Sequence, residues 1–247
     1  MAQDVEGTEQ KASNDLVVSF LAVRRSIGVL GLFLPVSLTL YGLFSADGIL
    51  ESMSAYYYSP MREVFVGTLC ALAVFLWTYE GYRPEPGEVL SDRVVARVAS
   101  LGAAGIALLP TAPLLIFGGE TAPEVETPPV ICTITQCLLG DIFASVIHFI
   151  SAAAFFGAMA VFFLFQFTKG RVGSAQQRAA HRIYLTCGMV IVVALALIGV
   201  VQFTGLRDAL AGARPVFWLE VAASVAIAVG WMTKGDSLKP LERALAA

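Results

Sequence analysis

Residues 183–203 read IYLTCGMVIVVALALIGVVQF, a run of apolar and small residues without a charged side chain. A helix needs about 20 mainly apolar residues to cross about 30 Å of hydrocarbon, so this stretch is predicted to be a transmembrane helix. Five other stretches meet the same requirement. The six predicted spans are 26–45, 63–80, 94–113, 142–166, 183–203 and 215–232.

The composition of the whole chain agrees with this prediction. Of its 247 residues, 57% are apolar and 14% are charged, and the mean hydropathy is +0.75. Soluble domains have roughly 45–50% apolar and about 25% charged residues, so an ordinary soluble enzyme is the wrong default expectation. The formal net charge is −3, with only 16 Lys and Arg residues. The chain therefore lacks the basic field that binding of nucleic acid requires.

We expect an all-α membrane protein, a bundle of six transmembrane helices. Residues 1–15 are polar and acidic and are expected to be a disordered arm, 16–235 form the bundle, and 236–247 are a tail. Thirteen of the 16 Lys and Arg residues lie before span one, between spans two and three or in the first turn of span three, between spans four and five, or after span six. This distribution predicts that both termini are cytoplasmic. The expected location is a cell membrane, specifically the bacterial inner membrane.

Two cysteines lie close together in a loop that this topology places outside. Cys132 and Cys137 bound the sequence CTITQC, and such a pair in an oxidising compartment indicates a disulfide. A metal site is the alternative, but neither histidine, His148 or His181, lies nearby. The two histidines are at opposite ends of the bundle and cannot share a haem. No metal or cofactor is therefore expected.

Polar side chains gather in the outer half of the predicted bundle. Glu63 opens span two, Asp141 opens span four, and Glu220 lies about a turn and a half inside span six. His148 follows seven residues after Asp141 on the same helix face, which Ser151 continues. Ionisable side chains inside the membrane are energetically costly, so their presence indicates a functional role. We therefore expect an outward-facing binding pocket, whose candidate residues are His148, Glu220, Asp141, Glu63, Arg62 and Ser151.

Each candidate also has a structural interpretation. Asp141 and Glu63 stand in first helical turns, where acidic groups interact favourably with the helix dipole, and Arg62 can extend to water. A carboxylate inside a span must be paired or face water. Glu220 and His148 either form a hydrogen bond that holds spans four and six together or line a functional site, and the sequence leaves both readings open.

Several motifs resemble a known family. Residues 54–67, SAYYYSPMREVFVG, are similar to the first external loop and second span of small bacterial six-span membrane proteins of unknown function. GIALLPT at 105–111, IHFISAA at 147–153, WLE at 218–220 and WMTKG at 231–235 are similar to their third, fourth and last spans. More remotely, the chain resembles the DRAM/Sfk-like proteins, which are connected with autophagy, lipid asymmetry and GPI-anchor remodelling. That resemblance implies a lipid-related role and points to Ser54, Pro60, Arg62, Phe65 and His148.

Three functions are compatible with these features. The leading one is a non-enzymatic membrane protein whose pocket binds a lipid headgroup or small ligand, with Arg62 against an anionic group and His148 and Glu220 as a hydrogen-bonding pair. The second is a proton-coupled transporter or permease in which the same pair titrates. It requires a polar path through the cytoplasmic half, which only a homodimer interface could supply.

The third is an enzyme acting on outer-leaflet lipids with His148 as general base. It requires a nucleophile or metal within hydrogen-bond reach of His148. The expected partner is membrane lipid.

Overall fold

The computed structural model describes residues 2–82, 90–112, 133–169 and 173–246, and among these the side chains from Phe20 to Leu245. The described residues form helices, with no strand among them. The α-helices are α1 (Ala2–Phe44), α2 (Arg62–Trp77), α3 (Asp92–Leu108), α4 (Ile134–Leu139), α5 (Asp141–Val161), α6 (Ala175–Phe203), α7 (Leu206–Ala209), α8 (Pro215–Lys234) and α9 (Lys239–Ala246). Short 3-10 helices lie at Ser54–Tyr58 and Ala211–Ala213, and a π-helical segment, Phe162–Gln166, extends α5.

Within the described part of the chain, four segments are long and apolar enough to cross a membrane. They are Phe20–Phe44, Asp141–Gln166, Ala175–Phe203 and Ala211–Lys234. Helices α2 and α3 have 16 and 17 residues. At about 1.5 Å per residue, they are shorter than the roughly 30 Å of a bilayer core. The all-helical fold is confirmed, with four helices suited to a membrane, and the full count of six spans stays a prediction.

Helices begin and end where the sequence carries local signals. Ser174 caps α6 in a box with Gln177, in which each side chain accepts the backbone N–H of the other residue. Pro215 stands in the first turn of α8, where a missing N–H has no consequence. Helix α3 ends at Leu108 rather than at the predicted residue 113, because Pro110 disfavours the helical conformation at Leu109. The carbonyl of Leu109 is thereby available to other partners.

The six longer helices, α1, α2, α3, α5, α6 and α8, form a closed ring. Each packs against the next in chain order, and α8 packs back against α1. Glycines allow close approaches between neighbours. A Cβ atom at Gly102 of α3 would lie 2.7 Å from the backbone nitrogen of Phe155 in α5. A Cβ at Gly28 of α1 would lie 2.7 Å from Cγ of Met232 in α8. Such small residues permit the tight packing that associates helices in lipid.

Helices extend into both terminal segments of the chain. Helix α1 begins at Ala2 and takes in residues 2–15, for which the composition predicted disorder. That arm has a single glycine, Gly7, and no proline. Few of its residues therefore oppose a helix that the following apolar segment propagates. The expected tail at 236–247 contains the helix α9.

Residues 45–61 close one end of the ring, which we call the loop end. Tyr56 in this segment is completely buried. The carboxylate of Glu51 forms ion pairs with Arg207 at 2.9 Å and with Arg214 at 3.3 Å. These contacts hold the segment against the start of α8 and bring its 3-10 helix over the centre of the ring.

Candidate functional site

A cavity of about 50 Å³ lies inside the ring, against the closing segment. A cavity needs about 10–15 Å³ to hold a water molecule, so this one accommodates a few waters or a small apolar group. Its walls come from the closing segment and from every helix of the ring except α6. They are apolar apart from Ser54, Ser224 and Glu220. The lining residues are Gly31, Leu34, Met53, Ser54, Phe65, Leu69, Leu72, Ile106, Ala152, Phe155, Phe156, Glu220, Ser224 and Ile227.

His148 connects three segments of the loop end. It lies on α5 and is 2% exposed. Its Nδ1 is 2.6 Å from the carbonyl oxygen of Leu109, and its Nε2 is 2.9 Å from Oγ of Ser54. A carbonyl can only accept a hydrogen bond, so Nδ1 carries a proton. In the neutral ring, Nε2 then accepts the hydroxyl proton of Ser54. The imidazole is thus held in one tautomer behind a serine that lines the cavity.

Glu220 binds the residue that precedes Ser54. Its Oε2 accepts the backbone N–H of Met53 at 2.6 Å, and the Ser224 hydroxyl one turn further along α8 contacts the Met53 sulfur at 3.8 Å. Met53 is the N-cap of the 3-10 helix, so the carboxylate satisfies a donor that this helix leaves free. The expected hydrogen bond between His148 and Glu220 is therefore corrected. The two side chains bind adjacent residues of the closing segment, because that segment inserts between α5 and α8.

Three further predicted residues lie at helix starts. Arg62 is exposed, donates to the Tyr57 hydroxyl at 3.2 Å and stacks 4.6 Å from the centroid of that ring. Glu63 and Asp141 are exposed in the first turns of α2 and α5. Their positions agree with the structural interpretation, in which acidic groups interact with the helix dipole. None of the three lines the cavity.

Ser151 faces α3 rather than the cavity. A Cβ atom built on Gly105 would overlap its hydroxyl oxygen, so this serine packs directly on the glycine of the neighbouring helix. The next residue, Ala152, lines the cavity instead. Among the candidates, the structure therefore brings Ser54 and Glu220 together at the cavity wall and places His148 behind Ser54.

A hydrogen-bonded cluster beside the site has no counterpart in the sequence predictions. The Tyr58 hydroxyl donates to the Thr111 carbonyl at 2.5 Å and accepts from Nε2 of Gln136 at 2.9 Å. Burial raises the pKa of Tyr58 to about 12, so the hydroxyl keeps the proton that it donates. Ser145 accepts the backbone N–H of Ala112. These bonds attach the chain after α3 to the closing segment and to α5.

Comparison of the chain with protein-family models, curated proteins and solved structures finds no significant match. The resemblance to the DRAM/Sfk-like proteins therefore stays a prediction. The chemistry of the site rests on its geometry alone.

No cysteine is among the described residues that line the ring cavity. Cys70 and Cys187 are free cysteines within helices. Cys132 lies outside the described residues, so its disulfide with Cys137 stays a prediction. No group of three or more His, Cys, Asp or Glu side chains within the described ranges is arranged to hold a metal ion.

The arrangement of Ser54, His148 and Leu109 can do two things. It can hold the loop end closed, and it can present an activated hydroxyl to the cavity. A serine bonded to an imidazole whose second nitrogen is oriented by an acceptor is the geometry of nucleophilic catalysis. Here the acceptor is a carbonyl, which orients the ring but supplies no full negative charge to an imidazolium. Sequence reasoning could not identify Leu109, because the group that binds His148 is its backbone carbonyl and not its side chain. The one sequence signal for a helix end near Leu109 is Pro110.

Proposed function

We propose that this protein binds an amphipathic membrane molecule, a lipid or a small lipid-like ligand, in the ring cavity. The observation that supports this function is the distribution of polar groups on the cavity wall. Its polar groups, Ser54, Glu220 and Ser224, lie toward the loop end, and the remaining walls are apolar. Ligand sites typically combine apolar walls with a few placed polar groups in this way.

The size of the cavity limits what enters it. Typical sites for small molecules measure roughly 300–1,000 Å³, which is several times the 50 Å³ found here. We therefore propose that the cavity takes the apolar tip of the ligand, and that binding widens the ring. The hydroxyl of Ser54 can turn from His148 toward a polar group of the ligand, and Glu220 offers an acceptor on the opposite wall.

Filling the cavity tests this proposal. Ala152 lines the cavity and Ala153 is exposed on the same helix, so Ala152→Leu and Ala153→Leu form a matched pair. We expect native mass spectrometry of protein purified in mild detergent to show a retained lipid on the wild type and on Ala153→Leu. We expect Ala152→Leu to lose it. Equal retention by both variants, with unchanged thermal stability, would overturn the proposal.

We further propose that all six ring helices cross the membrane, with both termini in the cytoplasm of a bacterial cell. Two observations support it: α2 and α3 stand in the ring between spanning helices, and Lys and Arg concentrate in the segments that this topology places inside. A C-terminal green fluorescent protein fusion should fluoresce, and a C-terminal alkaline phosphatase fusion should be inactive. The reverse pattern would contradict the orientation.

Cleavage or transfer of an acyl ester is a second candidate function, favoured by the 2.9 Å contact between Ser54 and His148. In this reaction Oγ of Ser54 bonds to the ester carbonyl carbon, and its proton passes to Nε2 of His148. The same proton then goes to the departing alcohol oxygen. Water, deprotonated by His148, next attacks the acyl carbon, the bond from that carbon to Oγ of Ser54 breaks, and Oγ takes the proton back from His148 as the acid leaves. The enzyme hypothesis required a nucleophile within hydrogen-bond reach of His148, and the Ser54 hydroxyl is in that position.

A fluorophosphonate probe separates this candidate from simple binding. We expect the probe to label the wild type but not Ser54→Ala. Ser59→Ala is the control, because the Ser59 hydroxyl lies in the same segment and donates to the Tyr56 carbonyl; we expect this variant to be labelled. His148→Gln should slow labelling at least about 100-fold, the lower end of general-base effects. A folded wild type that resists the probe would exclude ester cleavage and leave the binding proposal standing.

A further inference from the structure

A second cavity, of about 490 Å³, opens at the opposite end of the ring, where Arg24 and Lys234 lie. We call this the basic end. The cavity lies between the first membrane segment of α1, the start of α6, the end of α8 and α9. Its volume is within the range of small-molecule sites, and most of its lining groups are polar. The charge distribution predicts that it faces the cytoplasm.

Arg24 is buried in the wall of this cavity with few acceptors. It is 6% exposed. Its Nη1 lies 3.5 Å from the carbonyl oxygen of Lys234 and its Nη2 lies 3.4 Å from the Tyr79 hydroxyl, both long contacts. Among the described residues, its Nε has no hydrogen-bond partner. A guanidinium has five N–H donors, and buried polar groups left without partners are unfavourable. The Nε donor of Arg24 therefore lacks an acceptor among the described residues, and its two Nη contacts are long, so a ligand could supply better acceptors.

Other positive groups face the same space. Nζ of Lys234 lies 4.9 Å from the centroid of the Tyr82 ring and 4.7 Å from that of Phe167. Burial opposes ionisation of the Tyr82 hydroxyl, but Lys234 and Arg24 together lower its pKa below the ordinary value. The first turn of α6, capped by Ser174, adds the positive end of a long helix dipole.

Two acidic residues of the chain, Asp236 and Glu242, also line this cavity. Glu242 of α9 is 5% exposed and lines the cavity, and its Oε2 accepts from Nε2 of Gln176 at 2.9 Å. The Asp236 carboxylate is partly neutralised by Lys239, whose Nζ lies 2.9 Å from its Oδ2 at the surface. The C-terminal helix thus places an anionic group of its own on the wall that faces Arg24 and Lys234.

We propose that this cavity binds a phosphate or phosphate monoester or diester group, with Arg24 and Lys234 as its anion ligands and Glu242 as an internal competitor. The planar donors of arginine match phosphate oxygens, and lysine adds a point charge. The headgroup of an anionic lipid and free phosphate share this chemistry. The site is separate from the ring cavity, so it stands or falls independently of the function proposed above.

Calorimetric titration of the full chain in neutral detergent tests the proposal, with inorganic phosphate and dihexanoyl-phosphatidylglycerol as the two probes. We expect Arg24→Gln and Lys234→Met each to weaken binding at least tenfold. Arg243→Gln removes an exposed charge of the same C-terminal helix that does not line the cavity, and should leave the affinity within twofold. Binding of the lipid probe alone would identify a headgroup site, and binding of both with similar affinity a phosphate site.

Glu242→Gln tests the proposal even if Arg24→Gln or Lys234→Met fails to fold. It removes the competing charge, keeps a side chain that can bond Gln176, and is expected to tighten binding several-fold. Absence of binding of either probe to the wild type, or unchanged affinity in Glu242→Gln, would overturn the proposal. Ala152→Leu should leave the affinity for both probes unchanged, which distinguishes this site from the ring cavity.

Discussion

Ser54 and His148 are 94 positions apart in the chain, and Oγ of the serine lies 2.9 Å from Nε2 of the histidine. This contact attaches the closing segment to α5, while the other ring nitrogen attaches α5 to the end of α3 through Leu109. One imidazole therefore both closes the loop end and orients a hydroxyl at the cavity wall. The structural and functional readings of His148 do not exclude each other.

Replacing His148 should destabilise the fold as well as alter the site. His148→Ala leaves the Leu109 carbonyl without this partner, and an unsatisfied buried polar group costs about 1–3 kcal/mol. His181→Ala is the matched control. His181 is partly exposed at the other end of the bundle, and such substitutions change stability by about 0.5 kcal/mol. Thermal unfolding in detergent measures both. Equal melting temperatures for the two variants would show that His148 does not hold the loop end closed.

Adding a methyl group should have opposite effects at two helical glycines. A Cβ at Gly102 would lie 2.7 Å from the Ser151 carbonyl oxygen of the neighbouring helix, whereas one at Gly157 meets nothing within 4 Å. Gly102→Ala is expected to destabilise by about 1–3 kcal/mol through overpacking. Gly157→Ala is expected to stabilise by about 0.5–1 kcal/mol through helix propensity. If Gly102→Ala unfolds at the same temperature as Gly157→Ala, α3 and α5 are not in such close contact.

Alkaline pH should weaken the cluster around Tyr58. Burial raises its pKa from the ordinary 10.0 to about 12 in the folded chain. The resulting stabilisation is complete below pH 10 and is lost as the pH rises to about 12, because the unfolded chain releases the proton first. Tyr58→Phe lacks this group. The difference in melting temperature between wild type and variant should therefore shrink across this range. A difference that stays constant from pH 9 to pH 12 would contradict the assignment.

The predicted disulfide can be tested by counting thiols. The chain has four cysteines, of which Cys70 and Cys187 are free. A disulfide between Cys132 and Cys137 predicts that iodoacetamide modifies two cysteines in denatured, unreduced protein and four after reduction. Intact mass spectrometry reads this number directly. Four modifications without a reductant would rule out the pair.

The helices could be predicted from the sequence because their signals are local. The apolar run at 183–203 lies within α6, and the predicted start at residue 215 coincides with the start of α8 at Pro215. Length, apolar content, caps and proline act within a few residues of where they stand. The same reasoning misplaced the end of α3, because the effect of Pro110 on Leu109 competed with an apolar run that continues past it.

The partners within the site were decided by tertiary structure. The sequence placed His148 and Glu220 in one half of the bundle, but their partners are Ser54, a backbone N–H and a backbone carbonyl. Every residue carries such backbone groups, so residue type does not mark which of them acts. Only the ring order of the helices and the insertion of residues 45–61 bring them together. Composition and periodicity determine which segments become helices, and the long-range packing that chooses their neighbours determines the chemistry.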